Sequence, residues 1–193
     1  MNRGFKSILL FIAFVAIFLV SRHVALTHHT TTTSSTTTTS TTTSTTSTTS
    51  LAKCQGSDFT AVDDGGQGAA GTVYDSVTLT KTTPGSCVVD GYPLLTLQGS
   101  SGAVVQSSET HATSAVQFPM AGANRPAAAA TVASKSSIAF SYTFSDVSTG
   151  TCPSVKTINV QFAPAGSSAA VTLLYAQSPC NNGALTVSPF FVP

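Results

Sequence analysis

From Leu51 onward the apolar residues recur at every second position, and little else is compatible with that pattern than β-strands. "SIAFSYTFS" (137–145) sends Ile138, Phe140, Tyr142 and Phe144 one way and Ala, Ser and Thr the other. "SVTLT" (76–80), "TINVQF" (157–162), "AVTLLYA" (170–176) and "ALTVSPFFV" (184–192) follow the same rule. Shorter candidates lie at Phe59–Val62, Val88–Val89, Leu94–Leu97, Val104–Val105 and Ala130–Ala133. A strand with one apolar face needs a second layer to cover it, so the chain is expected to pack sheet on sheet.

Turn residues stand where the strands should stop: Pro84-Gly85, Gly99 to Gly102, Gly150, Pro164 to Gly166 and Asn181 to Gly183. Eight or nine short strands so punctuated predict an all-β, immunoglobulin-like sandwich. The sequence has no tryptophan, so the Trp-backed disulfide of antibody domains is excluded, and the expectation concerns architecture alone. At 143 residues, the region 51–193 is the size of one ordinary domain.

All four cysteines fall in that region: Cys54, Cys87, Cys152 and Cys180. None forms a Cys-x-x-Cys pair, which disfavours zinc and favours two disulfides in an exported domain. Three connectivities are open; the sequential one, Cys54–Cys87 with Cys152–Cys180, would staple each half of the domain.

Two segments precede the strands. Residues 1–26 open with Arg3 and Lys6 and run through thirteen uninterrupted apolar residues, Ile8 to Val20. A basic leader before an apolar stretch is the design of a secretory signal. Thirteen helical residues span only about 20 Å, but Phe5 to Leu26 would reach the ~30 Å hydrocarbon layer with Lys6 and Arg22 snorkelling. The expectation is an uncleaved signal anchor with the N-terminus inside; cleavage near Ala25 and Thr27, giving a secreted form, is the alternative. Residues 27–50 are almost entirely Ser and Thr, with twenty-one hydroxyl residues in a row from Thr30 to Ser50. Such a run has nothing to bury against the entropy of ordering and is expected to be a disordered stalk, at most about 80 Å long. Its hydroxyls suit O-glycosylation, although an unmodified linker would serve equally as a spacer.

Composition limits what the head can do. Only 8% of the residues are charged, and residues 51–193 carry five basic against seven acidic groups, a formal −2. With no Lys/Arg cluster to displace counterions from phosphate, nucleic acid is excluded as a partner. His111, the one histidine of the head, follows Ser and Glu in "SSETH" (107–111), which reads as an exposed loop; no Gly-x-Ser-x-Gly elbow occurs, and catalysis there is not expected. "DFTAVDDGGQG" (58–68) gathers three carboxylates beside glycines without EF-hand spacing, so neither a metal nor any other cofactor is expected. Asp75, Asp90 and Asp146 could supply paired acids, as almost any protein could. The long loop "FPMAGANRPAAAA" (118–130), with Met120 and Arg125, is the candidate contact surface.

"CVVDGYPLLTL" (87–97) is the most distinctive stretch. A cysteine, three residues, then Gly91-Tyr92-Pro93 and an apolar strand resembles the exported family known as domain of unknown function 4232, common in actinobacteria. The order of motifs agrees: Cys54, "GQGAAGTVYDSVTLT" (66–80), the Gly-Tyr-Pro strand, "CPSVKTINVQF" (152–162), and Cys180 before "LTVSPFF". The resemblance covers about Lys53 to Val192. It departs in the turn "KTTPGS" (81–86), where members often carry Asn, and in the anchor-like start with its long stalk. The family implies an immunoglobulin-like sandwich in the cell envelope and supplies no catalytic residues. Gly91-Tyr92-Pro93 is read as structural: a positive φ at Gly91, a fixed φ at Pro93, a packed Tyr92 ring, and a cis bond before the proline as a hypothesis.

Two functions of different class follow. One is a membrane-anchored, extracytoplasmic module that binds an envelope protein, glycan or wall polymer, or acts structurally, without catalysis. The other is an extracytoplasmic enzyme or enzyme accessory. A cavity with a perturbed acid would favour the second, a shallow surface with exposed apolar or aromatic groups the first.

Overall fold

The computed structural model describes residues 50–147 and 150–193. The expected export segment, 1–26, and the expected stalk up to residue 49 lie outside the described residues. Twelve strands are formed among the described residues: β1 (Phe59–Asp63), β2 (Gln67–Ala69), β3 (Thr72–Lys81), β4 (Cys87–Val89), β5 (Leu94–Gln98), β6 (Val104–Val105), β7 (Ser108–His111), β8 (Ala130–Val132), β9 (Ser137–Ser145), β10 (Val155–Gln161), β11 (Ser168–Gln177) and β12 (Ala184–Val187). One sheet runs β1-β3-β9-β12-β7 with β2 also on β3; a second runs β11-β10-β5-β6; β4 and β8 make a two-stranded ribbon.

The inward alternate residues of the two large sheets meet in one core. Val77, Leu79, Ile138, Phe140 and Tyr142 come from the first sheet, and Leu95, Leu97, Ile158, Val160, Val171 and Leu173 from the second. Each such side chain contributes roughly 1.5–3 kcal/mol relative to exposure. In place of tryptophan, a chain of rings crosses this core. Phe59 stacks on Phe162 at 4.9 Å, Phe162 on Phe190 at 4.9 Å, and Phe190 meets Phe140 edge-on at 6.0 Å.

β9 is buried along almost its whole length because both of its faces are covered. Its outer face carries Ala139 and Ser141, beneath Phe118, Ala123 and Phe191 of a second apolar cluster and beneath Ser188, whose hydroxyl accepts the Ser141 N–H at 2.9 Å. The strand predicted over 184–192 stops at Val187, since Pro189 has no N–H to donate. The chain nonetheless stays beside β9, with Ala139 and Phe191 exchanging both backbone hydrogen bonds at 2.8 and 2.9 Å.

"SSETH", expected as a loop, contains β7, which pairs in parallel with β12 from Ala184↔Ser108 to Val187↔His111. Nothing apolar marks it, because the residue it turns inward is a carboxylate: Glu109 Oε1 accepts the backbone N–H of Leu95, in the second sheet, at 2.8 Å. The Asn181–Asn182 segment is a left-handed turn, with φ of 54° and 60°, followed by Gly183 at φ 76°. A Cβ on Gly183 would lie 2.4 Å from the Gln106 carbonyl oxygen, so only glycine fits between β12 and the lead-in to β7.

The disulfides join Cys54 to Cys87 and Cys152 to Cys180. Closing loops of 33 and 28 residues, each is worth about 3–4 kcal/mol on the chain-entropy account.

Candidate functional site

Gly91 has φ 79°, and its carbonyl accepts the Phe190 N–H at 3.0 Å, fixing the motif to the C-terminal segment. Tyr92 is half-buried, packs on the main core, and stacks flat on His111 with ring centroids 3.8 Å apart and planes 2° from parallel. The Tyr92–Pro93 bond is trans, as are all described peptide bonds, so the cis hypothesis is not met. Trans is the isomer that an X–Pro bond favours by about 0.5–1 kcal/mol.

Beside Tyr92 opens a groove of about 150 Å³ lined by Thr113, Ser114, Asn124, Arg125, Pro126 and Pro189 among others. The 118–130 loop reaches it through a 3-10 turn, Ala121–Asn124. Asn124 holds that loop closed: its Oδ1 accepts the Phe118 N–H at 2.7 Å, and its Nδ2 donates to the Phe118 carbonyl at 2.9 Å. Arg125 is thus delivered to the groove. Met120 is not; it is half-buried against the cluster of Phe118, Ala123, Ala139 and Phe191. His111, rather than lying in an open loop, forms the other side of the Tyr92 stack at the edge of the first sheet.

At the opposite edge of that sheet, the acids adjacent in sequence part company. Asp58 accepts the Gln55 N–H at 2.9 Å and the Thr83 hydroxyl at 2.9 Å, and the backbone donor above all lowers its pKa. Asp64 accepts the Thr78 hydroxyl at 2.8 Å. Asp63 alone turns inward, where it meets Asp75. These two are 5% and 3% exposed. Asp63 accepts the Gly65 N–H at 3.1 Å and the Leu174 N–H at 2.6 Å. Asp75 accepts the Ser76 N–H at 2.6 Å, the Tyr142 hydroxyl at 3.3 Å and the side-chain amide of Gln177. Burial pushes Asp75 up to about 6, against the pull of the Ser76 N–H and with added repulsion from Asp63. The Tyr142 hydroxyl is also pushed up, by burial and then by Asp75. Above the pair lies an open cavity of about 330 Å³, with Asp146, Phe144 and the exposed Tyr175 on its walls. Asp90, the remaining candidate acid, is elsewhere, 3.6 Å from Lys53.

That Asp63 and Asp75 each face inward was readable from phase. In "FTAVD" Asp63 shares a face with Phe59 and Ala61, and in "DSVTLT" Asp75 shares one with Val77 and Leu79. A carboxyl on the apolar phase of a strand signals a buried acid. Among the described residues, no group of three or more His, Cys, Asp or Glu is arranged to hold a metal ion.

These features define a class: a cystine-stapled, two-sheet β-sandwich in which buried carboxyls bridge the layers. A family model described as Domain of unknown function (DUF4232) matches residues 54–190, and the chain belongs to that family. No curated protein and no solved structure matches it.

Proposed function

We propose that the head is a non-catalytic binding module of immunoglobulin-like architecture, held outside the cytoplasm on the Ser/Thr stalk by the N-terminal apolar segment. The contact surface is the groove beside Tyr92. What carries this reading is that groove's composition: Tyr92 of the Gly-Tyr-Pro motif and the 118–130 loop, remote in sequence, line it together. A guanidinium, two hydroxyls and a rigid aromatic–proline wall suit an envelope protein, glycan or wall polymer that offers a carboxylate beside a flat or apolar group. The buried carboxyls of Asp63 and Asp75 further support a binding role, since hydrogen bonds from within the domain already occupy both.

The test is crosslinking of the full chain in intact envelopes, followed by mass spectrometry, beside the Arg125→Glu variant. A reproducible partner whose recovery falls at least tenfold in the variant supports the reading. Equal recovery by both chains removes the groove from it.

A second reading, an extracytoplasmic enzyme, draws on Asp75, an acid raised to about 6 beneath a cavity that Asp146 also lines. Hydrolysis of a glycoside panel that is lost in Asp75→Asn but kept in Arg125→Glu would favour it.

A further inference from the structure

At the edge where β1 faces β11, the second sheet is held by side chains instead of its own ladder. The β10–β11 register jumps between Val155↔Gln177 and Thr157↔Thr172, leaving Leu173 to Ala176 as a bulge. The Leu174 N–H goes to Asp63, and the Leu173 carbonyl accepts the Lys156 ammonium at 2.6 Å. Gln177, just past the bulge, binds Asp75 and accepts the Tyr142 hydroxyl at 2.9 Å. Thus the two buried carboxyls of the first sheet clasp both ends of the bulge, and they touch each other.

We infer that Asp63 and Asp75 form a proton-controlled latch between the sheets, which lets go of the β11 bulge when Asp75 loses its proton. Two buried carboxyls in contact cannot both ionise without strong repulsion unless a cation joins them. The groups facing them supply none. Tyr142 comes from β9, Tyr175 from β11 and Asp146 from the segment after β9; Lys156, from β10, is engaged with the Leu173 and Leu174 carbonyls. Asp64 faces away onto Thr78. The position of Asp75 near 6 puts the change in a range that an exported protein meets. What the latch controls is presentation: the bulge carries Leu174 and Tyr175, 58% and 78% exposed.

The experiment is amide hydrogen exchange at Leu174 in the full chain, corrected for intrinsic base catalysis, from pH 5 to 7.5. The latch predicts at least a tenfold loss of protection across that range in the wild type and none in Asp75→Asn. Asp63→Asn, which also removes one charge of the pair, should abolish the pH dependence as well, whatever its effect on overall protection. A flat wild-type profile overturns the inference even if neither variant folds. A variant that keeps the wild-type slope also overturns it.

Discussion

Asp75 and Asp58 bind protons in opposite senses on folding, and the difference can be measured. Asp75 titrates near 3.8 when exposed and at about 6 in the fold. As pH rises from 3.8 to 6 the unfolded chain ionises first, so the native state loses stability from this group, about 3 kcal/mol in all, and the loss is complete above pH 6. Asp58, held low by the Gln55 N–H, contributes stability above its unfolded pKa and loses it as pH falls through the folded value. Raw stability profiles therefore mix the two. Denaturant titrations of the wild type and Asp75→Asn between pH 4 and 7.5 should give curves whose difference falls by most of that amount and flattens above pH 6. The residue scale is also where the sequence was least forthcoming. That Asp75 faces inward follows from its strand phase. That it lies against Asp63 follows from the pairing of β1 with β3, Asp63 opposite Val77, and from the break in pairing just beyond it, neither of which composition specifies.

Among the elements, legibility tracked apolar alternation. β3, β9, β10 and β11 were visible because each repeats a two-residue rhythm of large side chains, and their ends moved by only a few residues. β2 and β7 lacked that rhythm. β2 is exposed throughout, and β7 carries one inward residue, Glu109, whose carboxyl is raised by burial while the Leu95 N–H pulls it back. In the groove, motif and loop could each be singled out, but their meeting depends on β5 and β12 being placed by other strands. Strand order cannot be read from periodicity. The disulfides are elements of unequal exposure. Cys54 and Cys87 are buried, whereas Cys152 lies at the surface beside buried Cys180. Mild reductant followed by alkylation and peptide mapping should therefore label Cys152 and Cys180 well before the other pair, with thermal stability falling in two steps.

Across the whole domain, carboxyls of the first sheet reach backbone donors of the second at two places, Asp63 to Leu174 and Glu109 to Leu95. Between those margins the last strand, β12, is inserted between β9 and β7. Its neighbours were made earlier in the chain, 76 positions earlier at Ser108↔Ala184. During synthesis the larger sheet therefore cannot close until β12, ending at Val187, has appeared; until then the margins of β9 and β7 stay unpaired and open to association. A chain stopped at residue 183 should stay protease-sensitive and associate with itself, as limited proteolysis and light scattering would show. Closure of the fold thus waits on a single late strand: only a molecule that carries β12 can hide its own adhesive seams.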